Sequence, residues 1–307
     1  MPYYRRFADA FPTVRSLAAA NQEQVLRLWQ GLGYYSRARN LHRCAQEVVS
    51  RHNGQFPRTY QELLKLPGVG TYTAAAIASF AYNETVPVVD GNVYRVLSRV
   101  FGIKNDIQSA TGQKKFRQLA EQLVPDGKAN IYNQAIMEFG ALQCTPGQPA
   151  CLLCPLSTMC YAYQHGEQHA LPVKLKKTKV RTRYLHYLVI RQGADVWMKR
   201  RDNSGIWAGL YDFYLIETTH RTPLEQLDDS LLNLLLQQKG IDVAVSATYH
   251  HLLTHQRLHV TFYTITLRRP LGNLSDESNR LQAYSVDEIE QLPKPVLIDN
   301  FLQNEIF

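Results

Sequence analysis

With 307 residues, 45% hydrophobic and 20% charged, the chain has the composition of a soluble globular protein and length enough for two cores. No run approaches a membrane span, and the first residues, MPYYRRFADAF, lack the apolar stretch of a signal peptide, which predicts a cytoplasmic protein without a membrane partner. A net charge of +8 raises the odds of a polyanionic partner but does not by itself identify one.

Taken in order, residues 1 to 165 read as almost wholly helical. Asn21 caps QEQVLRLWQG, and in ARNLHRCAQEVVSRH the residues Leu41, Cys44, Ala45, Val48 and Val49 recur at helical spacing and are expected to face a core. Cys44 reads as a small buried hydrophobe. Thr59 and Glu62 form a capping-box pattern leading into the stretch LPGVGTYTAAAIASFAYNETVPVVDGN. Within it, Gly68 and Gly70 make a tight hairpin that turns backbone N–H groups outward at a helix start, a site that suits a phosphate. The hairpin motif spans about residues 59 to 82. A proline-bearing loop then delivers Asp90 to the start of a helix over Asn92–Phe101. Further helices are expected at Gly112–Leu123 and Ala129–Leu142. Taken alone, Gly-x-Gly is a generic helix–turn–helix corner and Asp90 an ordinary N-cap; the order of the motifs moves the balance toward a site.

Four of the five cysteines fall within Cys144 to Cys160, spaced C-x6-C-x2-C-x5-C (Cys144, Cys151, Cys154, Cys160). In a reducing compartment such a cluster reads as a metal site. One compact four-thiolate loop favours an iron–sulfur cubane over structural zinc, which more often uses two separated C-x-x-C knuckles. Residues 166 to 183 read as a linker, with six basic residues from Lys174 to Arg183. Beyond it YLHYLVIR, DVWMKRR, YDFYLIE and HVTFYTITL are strand-like, a helix is expected at Leu227–Gln238, and Ser285–Glu288 form a capping box for another near the C-terminus. This is a smaller α+β domain over 184 to 307.

The hairpin, the VDGNVYRVLSR segment and the cysteine loop together resemble the helix–hairpin–helix DNA glycosylase superfamily with a 4Fe–4S cluster, which includes endonuclease III and the MutY-type adenine DNA glycosylases. The resemblance implies a multidomain chain: an all-α helix–hairpin–helix glycosylase region with the iron–sulfur loop at 144–160, then a NUDIX-like α+β domain that reads 8-oxoguanine. Two features favour the MutY branch. Where endonuclease III carries its Schiff-base lysine, this chain has Tyr72, and a phenol cannot form an imine. The stretch DVWMKRRDNSGIWAGLYDF is similar to the NUDIX-like strand–loop–strand signature, without the glutamate-rich metal box of NUDIX hydrolases.

The resemblance implies a monofunctional glycosylase of base-excision repair, acting as a monomer on double-stranded DNA with A:8-oxoG or A:G mispairs and carrying one 4Fe–4S cluster on Cys144, Cys151, Cys154 and Cys160. Asp90 would steady the cationic sugar, with Asn92 and Tyr72 lining the site. Gly68, Val69, Gly70 and Thr71 would grip the DNA backbone, and Arg37 and Arg39 would contact phosphates. Tyr34 matches an aromatic wedge, against the alternative of core packing that Tyr35 could fill instead. Thr254 and His255, in Leu253-Thr254-His255, match the lesion-reading loop, usually Phe-Ser-His. The family's general acid is a glutamate ahead of the matched region; Glu138 does not stand in its context. Its loss would forfeit the ~10²–10⁴-fold such an acid contributes, and the expectation is a chain about fifty residues short of the family's start. An endonuclease III-like glycosylase/lyase and a catalytically silent lesion binder are the alternatives.

Overall fold

The computed structural model describes residues 2–175, 179–202, 204–268 and 280–307. The basic run from Lys174 to Arg183 therefore lies partly outside the described residues. The helices of the first part are α1 (Pro2–Ala10), α2 (Val14–Ala19), α3 (Gln22–Leu28), α4 (Tyr35–His52), α5 (Tyr60–Leu63), α6 (Thr71–Tyr82), α7 (Gly91–Phe101), α8 (Ala110–Leu123), α9 (Ala129–Leu142) and α10 (Tyr161–Gln164). The second part holds β1 (Arg181–Gln192), β2 (Asp195–Arg200), β3 (Tyr211–Asp212), β4 (Tyr214–Thr218), α11 (Ser230–Leu236), β5 (Asp242–Val245), β6 (Tyr249–Leu253), β7 (Gln256–Leu267), β8 (Gln282–Tyr284), α12 (Val286–Gln291) and α13 (Val296–Glu305). Among the described residues no helix is long and apolar enough to cross a membrane.

Two compact units emerge, and they cut across the sequence-order division. Residues 44 to 177 form a helical unit; residues 1 to 43 group with 178 to 307, so the division falls inside α4.

In the helical unit the caps are local sequence made visible. Asp90 accepts the Val93 N–H at 2.8 Å and starts α7, Ser109 caps α8, and Gly102 closes α7 in the left-handed region at φ 65°. The apolar face of α7 (Val93, Leu97) packs with Ile103, Phe116 and Ala120. Gly140 on α9 packs tightly against α7: a Cβ there would sit 2.7 Å from the Asn92 Cβ. The expected apolar stripe of α4 holds at Cys44, Ala45 and Val48, which are buried. Leu41 is a correction, being 38% exposed, because His42 and Ala38 take the inward positions of that turn.

In the other unit β1 is the spine. It runs parallel to β7 along its whole length, Arg181 opposite Gln256 through Gln192 opposite Leu267. It also pairs antiparallel with β2 and β4, while β5 and β6 pair with β7, and β8 and β3 with β2. Leu188, Ile190, Tyr263 and Ile265 form one core with Leu231, Leu232 and Leu235 of α11. Phe213, Phe262 and Phe301 form an aromatic core, with the last two stacked at 4.0 Å. Four of the sequence expectations are corrected here. The helix expected over Leu227–Gln238 starts only at Ser230, because Asp229 accepts the Leu231 and Leu232 N–H groups and caps it there. The run YDFYLIE is interrupted between β3 and β4 at Phe213, which turns into the aromatic core. The short strands β5, β6 and β8 were not expected, and the C-terminus carries two helices in place of one.

Candidate functional site

The hairpin before α6 is built as its glycines demand. Gly68 stands at φ 73°, Val69 N–H closes the turn on the Leu66 carbonyl at 3.2 Å, and Gly70 starts α6 with no side chain capping its first turn. Gly68, Gly70 and Thr71 are exposed and Val69 half-buried, so α6 opens to solvent with unpaired donors and the positive end of its dipole.

Asp90 has both carboxylate oxygens fixed. Oδ1 accepts the Val93 N–H, and Oδ2 accepts the Asn92 side-chain amide at 3.0 Å. The Tyr72 ring is 44% exposed; burial, and after it the charge of Asp90, push its phenol up. Asn92 in turn accepts from Arg95 at 2.8 Å, and Arg95 donates to the carbonyls of Gly140 at 2.6 Å and Cys144 at 2.7 Å. One buried guanidinium thus ties the carboxylate's amide partner to the first cysteine of the loop.

The four cysteines line one recess together with Arg99, Gln143 and Gln168. Arg99, 2% exposed, donates to the Cys144 sulfur at 3.3 Å and to the carbonyls of Thr145 (2.8 Å), Pro146 (3.2 Å) and Leu171 (3.1 Å). Burial, and after it the other three cysteine sulfurs, push the Cys151 thiol up. Among the described residues no group of three or more His, Cys, Asp or Glu side chains converges closely enough to hold a single metal ion. Sequence reasoning singles out neither Arg95 nor Arg99. The signal is present nonetheless: two arginines four apart on a helix whose neighbours Val93, Val96 and Leu97 are core must find buried partners.

The remaining expected residues lie in the sheet-bearing unit. Tyr34 is 66% exposed at φ 49°, and Tyr35 beside it is buried, so of the two tyrosines Tyr35 fills the core position. The Tyr34 hydroxyl lies 2.5 Å from the Thr254 hydroxyl, at the turn between β6 and β7, and the Arg37 guanidinium stands 5.4 Å from the Tyr34 ring centre. His255 is exposed on the same turn. Arg39 behaves differently from Arg37: it is half-buried and donates to the Ala208 carbonyl at 2.8 Å, leaving less of its guanidinium for a phosphate.

Residues 1–125 match the HhH-GPD superfamily of base excision DNA repair proteins, and residues 186–304 match the NUDIX domain. An adenine DNA glycosylase of Buchnera aphidicola from Schizaphis graminum is 33% identical over 260 residues, which cover 85% of this chain and 73% of the relative. The corresponding protein of Buchnera aphidicola from Acyrthosiphon pisum is 29% identical over 312 residues, covering 99% and 86%. Among solved structures, a thermostable thymine-DNA glycosylase matches with a TM-score of 0.50 and 31% identity, over 53% of this chain and 76% of its own. With a helix–hairpin–helix region followed by a NUDIX-like sheet domain, and with relatives of that name along its length, this chain belongs to the adenine DNA glycosylase family.

Proposed function

We propose that the protein hydrolyses the N-glycosidic bond of adenine opposite 8-oxoguanine, or guanine, in duplex DNA. The observation that carries this reading is the Asp90 carboxylate, held by the Val93 N–H and the Asn92 amide at the start of α7, with Tyr72 where a lyase would need a lysine. The target adenine has to leave the base stack to be reached. As it departs, the sugar takes on oxocarbenium character. A carboxylate kept in place by two donors stabilises that charge without reorganising, an effect typically worth about 3–4 kcal/mol. Asn92 orients the carboxylate, and Tyr72 supports the same pocket. Gly68, Gly70 and Thr71 would receive a phosphate on their N–H groups, with Val69, whose N–H is held by the Leu66 carbonyl, shaping the turn and Arg37 as a second phosphate contact.

Tyr34 serves as the stacking wedge, and Thr254 and His255 supply hydroxyl and imidazole to the oxidised guanine. Cys144, Cys151, Cys154 and Cys160 would hold a 4Fe–4S cluster. The four line one recess, their C-x6-C-x2-C-x5-C spacing on one loop suits a cubane better than the paired knuckles of structural zinc, and Arg99 offers its N–H to the Cys144 sulfur. Such a cluster would cross-link the 144–160 loop, leaving bond cleavage to Asp90 and its neighbours.

A single-turnover assay on a duplex with adenine opposite 8-oxoguanine tests the proposal. Adenine release that falls about 10²–10³-fold in Asp90→Asn, with duplex affinity retained, is the expected result. Tight binding with no adenine release would leave a lesion-binding protein in its place. Efficient borohydride trapping on abasic DNA would instead indicate lyase chemistry, which a phenol at position 72 cannot perform.

A further inference from the structure

The turn that presents Tyr34 is conformationally expensive. Gly31 at φ 95°, Gly33 at φ 67° and Tyr34 at φ 49° place three residues of four in the left-handed region. A non-glycine residue stays there only when its surroundings over-determine it. The Trp29 indole N–H holds the Gly33 carbonyl at 3.1 Å from within the turn. The other restraints come from far along the chain and converge on one residue. Gln30, before the turn, accepts the Lys294 backbone N–H at 3.1 Å through its side-chain oxygen. Tyr35, after the turn, donates its hydroxyl to the Lys294 carbonyl at 3.4 Å. Both sides of Tyr34 are therefore referred to the backbone of Lys294.

Lys294 is itself pinned. Its side chain is 1% exposed, and its ammonium donates to the carbonyls of Ile289 (2.7 Å), Leu292 (3.2 Å) and Glu290 (3.5 Å), 3.6 Å from the Asp299 carboxylate. These carbonyls close the last turn of α12, where orphan acceptors and the negative dipole end favour a cation. On its N-terminal side the Pro293 carbonyl accepts the Tyr211 N–H at 2.8 Å.

We propose that Lys294 is a positioning residue for DNA binding: its buried ammonium fixes the 293–295 segment, whose Lys294 backbone clamps Gln30 and Tyr35 and so presents the Tyr34 ring for insertion beside the lesion. The inference rests on the wedge role of Tyr34. It assigns the C-terminal segment a second task, holding the wedge as well as completing the domain that reads the oxidised base.

The test is a double-mutant cycle in the full chain. Duplex affinity and the fluorescence of 2-aminopurine placed next to 8-oxoguanine, opposite a non-cleavable adenosine analogue, report on wedge insertion. With Tyr34 present, Lys294→Met is expected to weaken binding about tenfold and to suppress the fluorescence change; in a Tyr34→Ala background it should cost less than about twofold. Equal losses in both backgrounds would mean ordinary destabilisation and would overturn the proposal, as would no loss in either. If thermal unfolding shows that Lys294→Met does not fold, Gln30→Ala and Tyr35→Phe each remove one clamp, and the same comparison of backgrounds decides. A Tyr34→Ala variant with unchanged fluorescence and affinity would overturn the wedge reading, and the inference with it. That outcome is told apart from failure of the clamp alone, in which Tyr34→Ala has its effect and Lys294→Met adds to it independently.

Discussion

Arg201 and Arg183 in the sheet-bearing unit and Arg95 and Arg99 in the helical unit find partners of different kinds. In the sheet-bearing unit Arg201 pairs with the fully buried Asp212 at 2.5 Å, and Arg183 grips both oxygens of Glu217. Charge there is neutralised by charge. In the helical unit Arg95 and Arg99 spend their N–H groups on carbonyls of α9 and the cysteine loop and on the Cys144 sulfur, and among the described residues neither is salt-bridged to a carboxylate. A buried guanidinium without a carboxylate is costly unless an anion completes it. In the sheet-bearing unit these two guanidinium groups meet carboxylates, although Arg39 there donates to the Ala208 carbonyl, whereas the helical unit places the Arg99 guanidinium in the recess lined by four cysteines, an environment that would suit thiolates.

The contrast can be broken by two parallel substitutions. Arg201→Leu strands Asp212 without its cation and is expected to cost about 3–5 kcal/mol in urea unfolding while leaving bound iron unchanged. Arg99→Leu orphans three carbonyls and removes the donor to the Cys144 sulfur, costing about 2–4 kcal/mol, and should also lower the iron content of the purified protein. Hydrogen exchange followed by mass spectrometry locates each loss. If both losses spread evenly over residues 44 to 177 and 178 to 307, or if Arg99→Leu retains its full iron, the distinction between the units fails.

The division of tasks explains what could be read from the chain before its structure. The hairpin, the cap at Asp90 and the four cysteines are local motifs, in which neighbours a few residues apart fix the geometry. Their placement on α6, α7 and one shared recess follows the sequence closely. What escaped was non-local. Nothing near Tyr34 announces that its hydroxyl meets Thr254, 220 positions away, or that Gln30 and Tyr35 end on Lys294. Nor does a sequence pattern show residues 1 to 43 grouping with the sheet. The short strands β5 and β6 have half-exposed alternation too weak to stand out, and they form because β7 offers them its edge.

A smaller effect is expected at the turn between β6 and β7, under the lesion-reading role proposed for it. Thr254→Val keeps the shape but deletes the hydroxyl that meets Tyr34. The preference for adenine opposite 8-oxoguanine over adenine opposite guanine should fall by about tenfold, worth about 1–1.5 kcal/mol, in single-turnover competition between the two duplexes. Asp90 belongs to the helical unit, so the rate on the plain A:G mispair should hold. A parallel fall on both substrates would place Thr254 in catalysis or folding instead of discrimination.

The smallest effect lies in the ion pair that closes the sheet-bearing unit. The Arg183 hydrogen bonds, aided by the charges of Arg183 and Arg181, hold the Glu217 carboxyl below its usual range. A group whose folded-state pKa is depressed stabilises above its unfolded value and loses that contribution as pH falls through the folded one. Glu217 is about a third exposed, so screening keeps the term under about 1 kcal/mol. Glu217→Gln should therefore lower the urea midpoint near neutrality and converge with the parent protein as pH drops below about 4, where an ordinary carboxylate protonates. A difference that persists unchanged into acid would show that the pair acts by packing, leaving Arg201 and Asp212 as the charge pair that closes this unit.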